Sequence, residues 1–350
     1  MDKLKNYGKQ FGKVMAQPVA ATLLGLLVGA VFILVSHENP IEIYMNMFEK
    51  SFFNPYYLTQ TLTRATPIII CGIATAAAWR AGYINIGVEG QMITGAFAAT
   101  VTAIYVPLPG FLLLPLSILA GIIAGGLYAT LVAVLNMKFQ SSIVICTLML
   151  NYVANYIASY LVSYPFKDKS GDGLSLVTKT IPESTHFLQF SSSNTLNLGI
   201  VVAAVITILF FYMERKTVFG YESKMTGLNP HFAKYGGVFE KKVMLKTMAL
   251  SGAIAAVAGM CEIFGYKYRY TDGMFTSASY AWTGLMAALI ADLHPVGILV
   301  SSIFLSGLQV GGQAIQRSSS IPLQMATVIQ STITLFVSAK IGIKDRKSVV

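Results

Sequence analysis

The sequence predicts an all-α polytopic membrane protein of about ten transmembrane helices, built as two inverted-topology five-helix repeats within one transmembrane domain, 1–350. Three observations carry that prediction. Of 350 residues, 55% are hydrophobic and 11% charged, where a soluble domain carries about 25% charged residues; mean hydropathy is +0.63. The apolar residues gather into segments near the roughly 20-residue length that spans the hydrocarbon. Lys and Arg crowd alternate connecting segments, the asymmetry that orients membrane proteins.

The segments lie at about 18–36, 60–79, 86–106, 111–136, 142–164, 197–213, 246–264, 279–291, 296–315 and 321–340. A basic stretch, 1–15, precedes the first without a small-residue cleavage site, so that segment reads as an anchor. The third begins inside a polar run, and the sixth and eighth are short enough to be tilted or irregular. With the N-terminus cytoplasmic, the inner segments collect Lys3, Lys5, Lys9, Lys13, Arg80, Lys138, the basic residues of 215–246, Lys340, Lys344, Arg346 and Lys347. That is the larger share of the 25 Lys and Arg. Ten spans with both termini cytoplasmic satisfy this bias; one span more or fewer inverts half the molecule. The net charge of +10 then reads as anchoring beside the lipid bilayer, with no nucleic-acid partner. Cys71, Cys146 and Cys261 lie in apolar segments without metal or redox spacing and read as core hydrophobes.

Repeat one covers about 18–165 and repeat two about 197–340, with faint self-similarity at an offset of about 180 residues. C-G-I-A-T-A-A-A around Gly72 resembles S-G-A-I-A-A-V-A around Gly252, and 138–151 resembles 317–330. Five spans per repeat is odd, so the repeats have opposite topology, a transporter architecture with sites near the midplane.

The run R-A-G-Y-I-N-I-G-V-E-G-Q, 80–91, places Asn85, Glu89 and Gln91 among Gly82, Gly87 and Gly90 beside a span. Lipid cannot satisfy its backbone, so it is buried in protein or lines a cavity. An intramembrane carboxylate such as Glu89 is a site hypothesis by default; its partner is Arg80 or a ligand. Asn151 and Asn155 share one helical face, as do Gln309, Gln313 and Gln316. Amides donate and accept, which suits a neutral ligand with mixed hydrogen-bonding edges; the competing reading is adhesion between helices. Trp282 fits an interfacial belt or stacking against an aromatic ligand. Asn85, Glu89, Gln91, Asn151, Asn155, Trp282, Gln309 and Gln313 are thus the candidates for a substrate path or gate. No Ser–His, paired-Asp or His-x-x-Glu arrangement supports hydrolysis.

The largest inner loop, 214–246, contains a helix start at Asn229–Pro230 and a stop at Gly236 and Gly237. Phe232 and Tyr235 beside Ala233 fit a short exposed helix that docks into another protein's groove; a basic loop on anionic lipid is the alternative.

T-G-L-N-P-H-F-A-K-Y-G-G-V, 226–238, resembles the cytoplasmic coupling loop of ABC importer permeases for branched-chain amino acids, sugars and nucleosides. Gly227, Asn229, Ala233 and Gly236 fall on its pattern, while His231 and Phe232 stand where small residues are usual. G-Y-I-N-I-G-V-E-G-Q resembles the F-N-I-G-V-E-G-Q signature of the nucleoside-importer permeases, with Ile84 in place of Phe; the L-N-Y ending at Tyr152 fits the same subfamily. The resemblance implies a non-enzymatic subunit of the cell membrane, moving substrate by alternating access. Its implied partners are cytoplasmic ABC ATPase subunits, a second identical or homologous permease and an extracellular substrate-binding lipoprotein. It also implies coupling through Gly227, Asn229, Pro230, Ala233, Tyr235 and Gly236. The chain has no G-x-x-x-x-G-K-[ST] phosphate loop, so ATP is expected on the partner and no cofactor here. Sugars and branched-chain amino acids remain alternative cargoes, and an ion-coupled transporter using Glu89 an alternative class.

Overall fold

The computed structural model describes residues 22–35, 37–170, 174–190 and 195–316, with scattered positions from Gln324 to Leu335. Among these residues the architecture is helical, with isolated bridges at 167–178, 177–271 and 189–197. In chain order the helices are α1 (Thr22–Val35), α2 (Pro40–Phe48), α3 (Pro55–Trp79), α4 (Val88–Tyr105), α5 (Gly110–Phe139), α6 (Ile143–Ser163) and α7 (Gly199–Lys216). There follow α8 (Val218–Leu228), α9 (Pro230–Tyr235), α10 (Glu240–Glu262), α11 (Met274–Ala278), α12 (Tyr280–Ile290) and α13 (Pro295–Gln316).

One local device starts three of them. Asn39–Pro40, Asn54–Pro55 and Asn229–Pro230 each put proline where its missing N–H costs nothing. The asparagine side chain accepts from the first turn, at 3.1 Å from Ile41 N, 3.0 Å from Tyr56 N and 3.0 Å from Phe232 N.

Among the described residues five helices are long and apolar enough to cross a membrane: α3, α5, α6, α10 with its π-helical extension to Lys267, and α13. The segments expected at 86–106 and 197–213 appear as α4 and α7, of 18 residues each. The segment expected at 279–291 appears as α12, whose 11 residues reach only about 16 Å at 1.5 Å per residue. It is a half-length helix entered through the short α11. The segment at 321–340 lies almost wholly outside the described residues, as does the 317–330 half of the second internal similarity.

The bundle is built around α3 and α10. Their apolar windows are 83% and 72% buried, against 28% and 22% for α5 and α6, so α5 and α6 form the periphery. Small residues make this possible. A Cβ on Gly252 would collide with the Gly125 carbonyl of α5, and one on Gly125 would stand 2.7 Å from the Ala256 Cβ. The similar runs at 71–78 and 251–258 meet each other directly, the Ser251 hydroxyl donating to the Ala74 carbonyl at 2.7 Å.

The described parts of the connection between α6 and α7, 164–170, 174–190 and 195–198, cover one end of the bundle. Thr178 N donates to Tyr270 O, Ile181 N to Tyr268 O and Phe187 N to Phe264 O. The opposite end carries Arg80, Glu214 and His294. There Arg80 Nη1 donates to Glu214 Oε2 at 2.8 Å and to Leu293 O at 3.2 Å, tying α3 to α7 and to the turn before α13.

Gly252→Leu lowers the thermal midpoint of the detergent-solubilised protein, since overpacking a tight contact costs about 1–3 kcal/mol. Gly236→Ala, where the added carbon meets nothing nearer than 3.4 Å, leaves the midpoint unchanged in the same melt.

Candidate functional site

The run 80–91 is a helix break. α3 ends in a left-handed glycine cap: Gly82 has φ +86°, Gly82 N donates to Trp79 O and Tyr83 N to Ala78 O. This is the paired pattern that closes helix carbonyls when the chain must leave the helix. The chain then runs non-helically until α4 starts at Val88.

Asn85 holds that break together. Its amide nitrogen donates to Gln91 Oε1 at 3.0 Å and to Ser251 Oγ at 2.9 Å, while its oxygen accepts from Gly87 N at 2.9 Å and Gln91 Nε2 at 3.0 Å. Asn151, on α6, accepts from Gly90 N at 2.8 Å and donates to Ile86 O at 3.0 Å. Thr147 takes Ile86 N at 3.2 Å, and Trp79 Nε1 donates to Asn85 O at 3.0 Å. Asn85, Gln91 and Asn151 are buried, so three of the expected path residues direct their amides at the protein itself.

Glu89 sits differently. Its side chain is 8% exposed, with Oε1 accepting from Thr276 Oγ1 at 2.8 Å and Oε2 from Trp282 Nε1 at 3.0 Å. Thr276 Oγ1 also lies 3.4 Å from Asn155 Oδ1. Thr276 and Trp282 are exposed and Asn155 is half-buried. A carboxylate thus lies under an accessible rim of hydroxyl, amide and indole. Arg80 is not its partner, because unwinding at Gly82 turns Arg80 toward Glu214. Trp282 precedes the Ile290 end of α12 by eight residues, about 12 Å of helix, which puts Glu89 well inside the bundle.

Gln309 belongs to a separate cluster on the other side of α12. It accepts from Arg64 Nε at 2.6 Å and donates to Thr283 Oγ1 at 3.2 Å. Arg64 also stacks 5.5 Å over Tyr280, whose hydroxyl donates to Glu262 Oε1 at 3.0 Å. Gln313 lies one turn on, half-buried. Arg64 and Thr276 are the residues that sequence reasoning passed over. Arg64 was visible as a lone cation inside an apolar segment; Thr276 had a weaker signal, the polar run T-D-G-M-F-T-S-A-S at 271–279.

The loop 214–246 resolves into α8 and α9. Asn229 caps α9, and Gly237, at φ +83°, closes it through Gly237 N to Lys234 O and Val238 N to Ala233 O. Ala233 packs inward, Phe232 is exposed and Tyr235 is 93% exposed. At the end of α8 that joins α9, Gly227 lies against the break: a Cβ there would collide with the Arg80 carbonyl, and one on Gly82 would reach Gly227 Cα at 3.5 Å. Beside this contact a cleft of about 630 Å³ is lined by Arg80, Glu214, Arg215, Lys216, Lys224 and His294. Burial, then Arg80 and Arg215, hold the His294 imidazole below its ordinary value, so it is neutral at pH 7 beside these cations. No cluster of three or more His, Cys, Asp or Glu able to hold a metal occurs among the described residues.

The model of the family described as branched-chain amino acid transport system / permease component matches residues 57–338. A guanosine ABC transporter permease of Bacillus subtilis is 30% identical over 93% of this chain and 94% of its own length. A nucleoside ABC transporter permease of Lactococcus lactis is 28% identical over 92% and 90%, and a glucose ABC transporter permease of Haloferax volcanii is 30% identical over 91% and 86%. With that match over most of its length, and with helices able to cross a bilayer, the chain belongs to the family of ABC transporter permease components and is a multi-pass membrane subunit.

Proposed function

We propose that this chain is the membrane subunit of an ATP-driven importer for nucleosides, with both termini cytoplasmic. It spans the bilayer about ten times in two inverted five-helix repeats. The direct contact of the self-similar runs on α3 and α10 supports that pairing. It assembles with a second permease, with cytoplasmic ATPase subunits that bind the ATP, and with an extracellular substrate-binding lipoprotein.

The observation that carries the reading is the contact of Gly227 with the Arg80–Gly82 turn. The segment 223–237 presents Phe232 and Tyr235 outward for an ATPase groove, and its base touches the helix break leading to Glu89. Movement of α9 under ATP binding is thereby delivered to the carboxylate rim inside the bundle, and the cavity switches between outward and inward access. A nucleoside is neutral and offers hydroxyls, ring nitrogens and a planar face. Glu89 accepts from hydroxyls, Asn155 and Thr276 donate or accept, and Trp282 stacks. Free amino acids would need paired charges for ammonium and carboxylate, which the rim does not offer. The permeases for guanosine and nucleosides among the relatives agree with this cargo; the glucose permease makes sugar the competitor to exclude.

In proteoliposomes holding the full complex, labelled guanosine uptake is competed by other nucleosides and not by glucose, ribose or leucine; competition by glucose instead reassigns the cargo. Glu89→Gln puts an amide N–H against the Trp282 or Thr276 donor and lowers uptake roughly tenfold or more, the scale of a lost hydrogen bond to a charged group, at unchanged expression. Full activity in that variant makes Glu89 scaffold. Asn229→Ala with Tyr235→Ala removes a cap worth about 1 kcal/mol and the exposed ring. Its ATPase activity ceases to respond to loaded binding protein while the complex still assembles. An unchanged response removes the coupling assignment.

A further inference from the structure

One face of α6 carries Tyr152, Tyr156 and Tyr160, and Tyr164 continues the row just past the helix end; each is four residues from the last, and they are 55%, 70%, 62% and 67% exposed. At 100° per residue this row climbs the helix with a slow drift and spans about 18 Å. On one side of it runs a polar row, Asn151, Asn155 and Ser159, which faces the break, Thr276 and Asp272; Ser159 Oγ donates to Asp272 Oδ2 at 3.2 Å. On the other side run Met149, Val153 and Ile157, all exposed, a row suited to lipid.

The tyrosine row does not suit lipid. Tyrosine belongs at the membrane–water interface, and a row 18 Å long carries some of its rings well inside a hydrocarbon about 30 Å thick. No hydrogen bond from the four hydroxyls occurs among the described residues, and a hydroxyl left bare in hydrocarbon is costly. The row therefore faces water or a polar occupant. It leads toward the rim where Thr276 and Asn155 meet Glu89, and Trp282 stands there with its indole exposed.

We infer that the tyrosine row is a stacking rail for the planar ring of the cargo, forming one wall of the translocation path down to the Glu89 rim. Successive rings 6 Å of helix apart let a nucleobase pass from face to face without ever being fully desolvated or fully bound. Stacking accepts any base, so the rail selects for an aromatic ring and is indifferent to which one. This deepens the nucleoside reading and rests on it: a base stacks through its π face, whereas a sugar can offer the rail only its C–H faces.

The test uses the full complex in proteoliposomes with labelled guanosine. Tyr156→Leu with Tyr160→Leu lowers uptake efficiency about tenfold, the scale of losing base–aromatic stacking. Tyr156→Phe with Tyr160→Phe keeps the faces and retains most of it. Equal activity of the Leu and Phe pairs overturns the rail while leaving nucleoside import standing. Failure of the unaltered complex to take up any nucleoside overturns the import reading itself. In a Cys146→Ser background, Tyr156→Cys reacts with a water-soluble thiol reagent and guanosine slows the reaction. No reaction places the row against lipid or a dry subunit contact and overturns the proposal, as does loss of the second permease from the Leu-pair complex.

Discussion

A backbone that leaves its helix inside a bilayer must find every hydrogen-bond partner within the protein, and the break between Trp79 and Val88 is where this chain meets that demand. The solution draws on four helices at once. α3 closes its own carbonyls through Gly82 and lends the Trp79 indole; α4 supplies Gln91; α6 supplies Thr147 and Asn151; α10 supplies Ser251. Asn85 sits at the centre with both amide hydrogens and its oxygen engaged. A fully satisfied buried network of this kind rigidifies the region around it, because each partner removed leaves a costly unpaired group.

That rigidity has a mechanical consequence. Coupling between distant sites needs elements that move as units, with two discrete arrangements. Gly227 rests on the Arg80 carbonyl with no room for a side chain, so a displacement of α8 and α9 has nowhere to dissipate at the contact. Beyond it Tyr83 and Asn85 are bonded to α10 and Ile86 to α6, and the first turn of α4 carries Glu89. The Arg80–Glu214 ion pair adds α7 to the same unit. In the proposed import cycle the break is therefore a lever, and its stiffness is what a chain without its own phosphate loop needs in order to use a partner's ATP.

Much of this was legible in the sequence, for physical reasons that name themselves. Asn229–Pro230 marked a helix start because proline and asparagine solve the same terminus in two ways, and Gly236–Gly237 marked an end because a left-handed cap needs glycine. The polar run at 80–91 announced buried backbone. What stayed hidden was contact across the fold. Arg80, nine residues before Glu89, looked available to it, and the cap at Gly82 separates them while Arg80 pairs with Glu214. Hydropathy alone does not distinguish a tilted span from a half-length helix, so α12 was expected to cross. α2, packed beside α13, lay between apolar segments and was not expected. Arg64, passed over inside an apolar segment, is half-buried against Gln309 and Tyr280.

The polar residues of the spans divide by what their donors and acceptors face, and residue type does not predict the division. Asn85, Gln91 and Asn151 are amides of the kind that would suit a nucleoside, yet each is directed at backbone or at another buried side chain. Asn155, one turn from Asn151 on the same helix, is half-buried on the rim. Glu89 and Glu262 are both buried carboxylates, but Glu262 meets the buried Tyr280 while Glu89 takes its bonds from two exposed groups. An interaction that closes a buried network stabilises the protein continuously; one whose donors stand at an accessible rim can be exchanged for a ligand at little cost. In the proposed import cycle Glu89, with Thr276 and Trp282 above it, is the place for such an exchange, and the break beneath is its fixed floor.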